Sequence, residues 1–491
     1  MPYNKMEFAL TPGLRRVLSW LLAPCIVLFA SEATSTPSFD QHPWLNDLAQ
    51  VRQTFATRYA NLEWAVFDRE VDLPKLFADT ETRVAAAKSD AEARAAFDHF
   101  ARKLGDGHVE FNWPQSAVTP VTSRPCDDFD ASRATAPLLA RADGYNPIET
   151  PLSGEFPLGI LAVGRHRVGV LKIGMFSPHA TPLLCKAALT ALSIPADKPC
   201  DGSCQDRIDN WTSARFNKDF IKQIEALKDE RIDTLLVDIT GNGGGSEWAE
   251  AAARMLTPIR LHSERADFVR GEHWVKHYTN LEHDLNEAAR SASGKDRKLL
   301  VQLAGEVASK KVAAATPCDS APLWQRRKPT CSWLGEGFYA SGLLASANPD
   351  DLRGRSWGSE VFSPMEYPYQ EGIWRGPLIV LVDGYSASAS EEFAAVLQDN
   401  RAALIVGEPT FGAGCGHTDG GWPIKLKYSG ATLNLPDCVR IRADGSNEVR
   451  GIKPDLLIGW RHSDGPRLRA SALAARLPDV LTSVSTLNAA R

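Results

Sequence analysis

Five apolar residues, Leu378-Ile-Val-Leu-Val382, run without alternation into Gly384-Tyr-Ser-Ala-Ser-Ala-Ser390-Glu391, and a helical pattern, Phe393-Ala-Ala-Val-Leu397, follows at once. A strand apolar at every position is buried on both faces. A strand, a tight turn of small residues and a helix in direct succession therefore commit this part of the chain to an α/β architecture. A serine at such a junction faces the free N–H groups and the positive dipole end of the helix. Those are the requirements of an acyl-transfer nucleophile: room for attack and donors for the oxyanion that forms. The same stretch also reads as a serine-rich N-cap with no chemistry.

A second strand-to-loop passage stands upstream. Thr234-Leu-Leu-Val-Asp-Ile239 runs into Gly241-Asn-Gly-Gly-Gly245 and a helix opened by Ser246. The loop lacks the Gly-Lys-Ser/Thr of a phosphate site. Its glycines instead allow a backbone N–H to approach a substrate carbonyl closely. Further strands are expected at Val168–Ile173 and Ala403–Val406, and a hairpin from Pro423 to Leu435. A helix over about 213–228 presents Phe216, Phe220, Ile224 and Leu227 on one face. Ile452-Lys-Pro-Asp455 closes a core that spans 155–460. Before the core, Trp44, Leu48, Val51, Phe55, Tyr59 and Leu62 recur at helical steps. Ser89-Asp-Ala-Glu92 forms a capping box ahead of Phe97, Phe100, Ala101 and Leu104, and Gly105 stops that helix. Residues 38–110 thus read as a helical bundle, and 112–155 as a long connection with short strands. Residues 258–370 read as a helical insertion, with a charged helix at about 280–313, and 461–491 as a C-terminal tail.

Lys5, Arg15 and Arg16 precede an apolar stretch from Val17 to Ala30 that is short for a membrane span and suits a signal peptide, with cleavage after Ala33. Residues 1–33 are then a leader, and the protein is exported, periplasmic or secreted, with no stable membrane span after cleavage. Of nine cysteines, eight remain once Cys25 is removed, an even count that suits disulfides. Cys318–Cys331 is the best local pairing, since both lie in a Pro-rich, loop-like stretch, and a Cys415–Cys438 pair would brace the segment beyond the serine turn. Cys200-Asp-Gly-Ser-Cys204 closes a small loop rather than a metal site, because no second ligand pair is visible. A net charge of -5 with no basic patch gives no footing for nucleic acid.

Three separated motifs resemble the tail-specific (carboxyl-terminal-processing) serine proteases and their tricorn-like relatives. They are Val237-Asp-Ile-Thr-Gly-Asn-Gly-Gly-Gly245; Ser386-Ala-Ser-Ala-Ser-Glu391 with Leu397-Gln-Asp399 and Val406-Gly-Glu-Pro-Thr-Phe-Gly412; and Glu448-Val-Arg-Gly-Ile-Lys-Pro-Asp455. The resemblance implies a crotonase- or ClpP-like core of stacked β-β-α units and hydrolysis of a peptide or protein substrate without a cofactor or metal. Oligomerisation is left open. The nucleophile it implies is Ser388, with Ser386 and Ser390 as structural neighbours. The oxyanion donors it implies are the N–H of Ala389 and that of Gly244, with Gly243 or Gly245 as alternatives.

The departures from the family are informative. The position that carries a lysine base in many relatives is Ala413, which cannot take a proton. Lys425 and Lys427 alternate with apolar residues as the outward face of a hairpin does. The tricorn-like branch instead is similar to a Ser–His–Glu arrangement, and His108 in Leu104-Gly-Asp-Gly-His and Glu448 match its histidine and glutamate. Imidazole is mostly neutral at physiological pH and can accept the serine proton, while a carboxylate behind it fixes its tautomer. The serine that precedes the histidine in that branch is Gly107 here. His417 is an alternative base. His273 and His277, four apart beside Glu272, suggest a metal only faintly, since the spacing differs from His-Glu-x-x-His. Thr240 stands where relatives often carry arginine. The span from His108 to Val168 is too short for a PDZ module. A non-catalytic peptide-binding protein of the same fold and an esterase-type acyl hydrolase are the competing readings.

Overall fold

The computed structural model describes residues 39–114, 124–127, 129, 136–150, 154–367, 369–417, 424–461 and 463–489. The expected leader, 1–33, lies outside them. The core is a seven-stranded mixed sheet flanked by helices. Its strands His166–Lys172, Thr234–Asp238, Leu378–Val382, Leu404–Gly407 and Leu456–Leu457 are parallel and lie side by side in chain order. Leu158–Val163 and then Tyr145–Ile148 extend one edge antiparallel.

Thr234–Asp238 and Leu378–Val382 are buried at every position, which explains their unbroken apolar runs. Alternate residues serve opposite faces. Leu235, Val237, Leu378 and Val380 pack with Phe216, Phe220, Ile224 and Leu227 from the helix Gly202–Asp229, with Trp248 from Trp248–Met255, and with Phe393, Val396 and Leu397 from Ala389–Asp399. Leu236, Ile379 and Leu381 face the other way, onto Leu473, Leu477, Val480, Leu481 and Val484. Those five belong to a helix, Pro466–Ala489, that seals this face of the sheet. The expected tail is thus a structural layer. Its steps of three and four are visible in the sequence, but alanine and polar residues around them dilute the apolar contrast.

Helix Gly202–Asp229 begins well before the expected start near 213. Asp201 caps it by accepting the Cys204 N–H, and the Cys200–Cys204 bridge clasps the first turn. The opening turns carry Gln205, Asp206, Arg207 and Asp209, so no apolar period marks them. The other bridges are Cys126–Cys185, Cys318–Cys331 and Cys415–Cys438.

The N-terminal helices His42–Arg58, Leu73–Ala86 and Asp90–Leu104 pack through Phe55, Phe77 and Phe100, whose ring centroids lie 4.7–5.8 Å apart. The bundle is stitched to the core. Strand Glu110–Asn112 pairs antiparallel with Thr432–Asn434, and the Asp47 carboxylate accepts the N–H groups of Tyr428 and Ser429. Residues 258–370 hold two long helices that pack on one another, Glu272–Ser291 and Gly294–Ala314, in place of one stretch. They also supply strands Arg265–Val269 and Leu334–Tyr339, which form a three-stranded sheet with Cys438–Ile441. The insertion therefore braces a strand that reaches the site described next.

If the C-terminal helix is a core layer, Leu477→Ala should lower unfolding stability by about 2–5 kcal/mol. Denaturant titration followed by circular dichroism measures this; a loss under about 1 kcal/mol would contradict the packing.

Candidate active site

The turn after Leu378–Val382 is tied down from several sides. The Ser386 hydroxyl donates to the Ile239 carbonyl and accepts the Asp383 N–H, and the Ser390 hydroxyl donates to the Asn242 carbonyl. Both serines are fully buried and serve as struts between the turn and the glycine loop. Ser388 differs. It stands at the N-cap of Ala389–Asp399 with φ 57° and ψ -118°, a left-handed backbone that non-glycine residues rarely adopt. Its hydroxyl meets an imidazole: His108 Nε2 lies 3.1 Å from Ser388 Oγ, although the two residues are 280 apart in the chain.

The other ring nitrogen, Nδ1, lies 3.0 Å from the Ala413 carbonyl oxygen. A carbonyl can only accept, so Nδ1 carries the proton. In the neutral ring Nε2 is then bare and accepts from the serine. The expectation that Glu448 receives this N–H is corrected: the backbone oxygen of Ala413, the residue that replaces the relatives' lysine, does so. The His108 backbone is held by Asp106, which accepts its N–H together with Tyr59 Oη and Asn61 Nδ2. Burial pushes the imidazole below its ordinary pKa, opposed by the Asp106 carboxylate and the Ala413 bond.

Two buried charged groups fix these parts. Glu391 accepts the N–H of Ser388 and, from one loop, the Thr410 hydroxyl and the N–H groups of Gly412, Ala413 and Gly414. Ser388 and the carbonyl that orients the His108 ring thus hang on one carboxylate. Arg440, from Cys438–Ile441, donates to both oxygens of Glu448, to Glu392, and to the carbonyls of Ser388 and Gly414. Burial works to raise the Glu448 carboxyl, and the Arg440 guanidinium overrides it and holds it below the usual range. Burial drives Glu264 and Glu392, in the same cluster, well above that range. Glu448 is therefore the charged partner of Arg440, and its link to Ser388 runs through the guanidinium.

The glycine loop lies against the turn: a Cβ on Gly244 would fall 2.8 Å from that of Ser388. The Gly244 N–H is already donated to Asn242 Oδ1, which corrects its expected role as a free oxyanion donor. Its carbonyl accepts the Phe176 N–H, and the Ser246 N–H returns to the Phe176 carbonyl. The Gly245 N–H, on the far side of that planar peptide, has no hydrogen bond among the described residues, nor has that of Ala389. Below the loop, Lys172 Nζ bonds Asp238 Oδ1 at 3.1 Å and both the carbonyl and hydroxyl of Thr240. A lysine on the adjacent strand thus holds Thr240 and Asp238 from below.

The remaining candidates stand apart. His417 lies beside the His108 ring, with centroids 6.4 Å apart, and it is His108 that reaches Ser388. Lys425 and Lys427 are exposed on the hairpin. His273 is buried, and that burial, aided by the charge of Arg58, pushes it down to about 4. Among the described residues no three His, Cys, Asp or Glu side chains gather to hold a metal ion. Asp106, Glu391, Arg440 and Lys172 were not foreseen as site residues. Asp106 and Glu391 lie inside quoted motifs, whereas Arg440 and Lys172 carry no local signal.

Two outcomes follow from this geometry. Glu391→Gln sets an amide N–H₂ against at least two N–H or O–H donors, so stability should fall by about 1–3 kcal/mol and fluorophosphonate labelling should slow. An unchanged denaturation midpoint would contradict the clamp. The rate of that labelling should hold on acidification until below about 6.5 and then fall as Nε2 is protonated, because the pKa of His108 is depressed. A limb at pH 7 or above would contradict an imidazole in this environment.

The model of peptidase family S41 matches residues 207–458. The carboxy-terminal-processing protease of Bartonella bacilliformis is 41% identical over 83 residues, which are 17% of this chain and 18% of that protein. The tail-specific protease of Haemophilus influenzae is 54% identical over 41 residues, 8% of this chain and 6% of that protein. The chain thus spans less than a fifth of the length of these curated relatives. The crystal structure of mature CPAF covers 90% of this chain and 98% of its own at a TM-score of 0.57 and 14% identity, a likeness of fold. With half of its length matched by the family, including the serine turn, the glycine loop and the Glu448 segment, the chain belongs to peptidase family S41.

Proposed function

We propose that this protein is an exported serine peptidase that cleaves peptide or protein substrates through an acyl-enzyme on Ser388. The observation that carries the reading is the 3.1 Å approach of His108 Nε2 to Ser388 Oγ, with the tautomer that accepts the serine proton. Ser388 Oγ attacks the scissile carbonyl while its proton passes to Nε2. The oxyanion takes the N–H of Ala389 and, in place of Gly244, that of Gly245. Collapse breaks the C–N bond, and His108 gives its proton to the leaving amine. Water then repeats the sequence on the ester, restoring the serine and releasing the acid. Glu448 is a positioning residue that acts through Arg440.

The core is read as crotonase- or ClpP-like, which the adjacent parallel strands in chain order support. The branch is read as one with a histidine base and no PDZ module, supported by Ala413 and the short span from His108 to the strand at His166. Export is supported by four disulfides, which persist in oxidising compartments. No helix among the described residues is long and apolar enough to cross a membrane.

A fluorophosphonate probe should label the parent and not Ser388→Ala. His108→Ala should lower kcat on a cleaved peptide by roughly three to six orders of magnitude, because the pair acts as a unit. Labelling retained in Ser388→Ala, or a His108→Ala loss under about tenfold, would overturn the assignment.

A further inference from the structure

Phe411 is 54% exposed, yet it sits in a loop that Glu391 holds through several hydrogen bonds. Its N–H donates to the Ser386 carbonyl, and its neighbours Thr410 and Gly412 both donate to Glu391. Its ring lies over Gly107, the residue before His108: a Cβ at Gly107 would fall 2.5 Å from Phe411 Cε1 and 3.4 Å from the Ala413 Cβ. The ring therefore occupies the space that a serine side chain at position 107 would need, so Gly107 and Phe411 are complementary features of this chain. Gly107, Gly412 and Ala413 beside it carry no polar side chain, and the polar side chains that flank them are engaged: Thr410 with Glu391, His108 with Ser388 and Ala413, and Asp106 with Tyr59, Asn61 and the His108 N–H.

From this we infer that Phe411 is a specificity-determining residue that receives an apolar side chain of the substrate, one or two residues from the scissile bond. The inference rests on the hydrolytic reading of Ser388 and adds the class of peptide selected. With a scissile carbonyl at Ser388 Oγ, an extended peptide advances about 3.3–3.6 Å per residue, so a side chain close to the cut reaches a ring fixed beside His108. An apolar side chain laid on an exposed aromatic face removes both from water, whereas a small polar one gains little.

The test separates selection from turnover. Ser388→Ala protein is immobilised and presented with a degenerate decapeptide library, and the retained peptides are sequenced. The expected result is enrichment of apolar residues at one position. That enrichment should fall at least about tenfold in Ser388→Ala/Phe411→Ala and return in part with Phe411→Leu. Leu468→Ala, an exposed apolar residue on the C-terminal helix, should leave it unchanged. With the active parent, the same position should flank the cut bond, and Phe411→Ala should act mainly through KM on apolar peptides. No enrichment with Ser388→Ala, or the same enrichment without the Phe411 ring, would overturn the inference. Enrichment by Ser388→Ala from a parent that cuts nothing would instead overturn the hydrolytic reading and leave the role of Phe411 in peptide selection standing.

Discussion

One buried guanidinium holds the candidate site together. Arg440 lies out of water, where an unpaired charge would cost several kcal/mol, and it is satisfied only when Glu448, Glu392 and the carbonyls of Ser388 and Gly414 surround it. Those groups come from the serine turn, its helix, the following loop and the Glu448 segment. None can shift without leaving a donor or an acceptor bare. The guanidinium thus makes the position of Ser388 depend on a strand that the insertion braces along one edge.

Glu391 is the complementary anchor. Arg440 reaches the loop through the Gly414 carbonyl, and Glu391 reaches it through three N–H groups and a hydroxyl. The Cys415–Cys438 bridge ties the same loop to the strand that carries Arg440. The loop needs this hold because its Ala413 carbonyl sets the imidazole tautomer. Where many relatives place an amine, this chain places a short side chain and uses the peptide group behind it.

The meeting of Ser388 and His108 was legible because each lies in a compact motif whose local form, strand-turn-helix or helix-glycine-turn, can be read from its own residues. The local cysteine pairings were legible for the same reason. The place of Glu448 near Ser388 was legible only in outline. Its position matches the family, but its partner Arg440 lies in a strand with no periodic or motif signal, so the guanidinium between glutamate and nucleophile could not be seen. Gly244 was misjudged because a side-chain acceptor two residues away, Asn242, takes its N–H, and such a bond depends on loop shape. Lys172 has the same character: a lysine in an apolar strand gives no hint that the next strand supplies Asp238. The helix Pro466–Ala489 was missed for a different reason, since its apolar stripe is narrow and interrupted by alanine.

The distance in sequence between the imidazole and the hydroxyl has a consequence for biogenesis. A polypeptide made from its amino end completes the three front helices while the serine is still unmade, and the arginine that steadies the turn comes later still. The imidazole therefore waits, through most of synthesis, for the hydroxyl that it meets in the fold. The site can assemble only once every residue from His108 to Arg440 has been made.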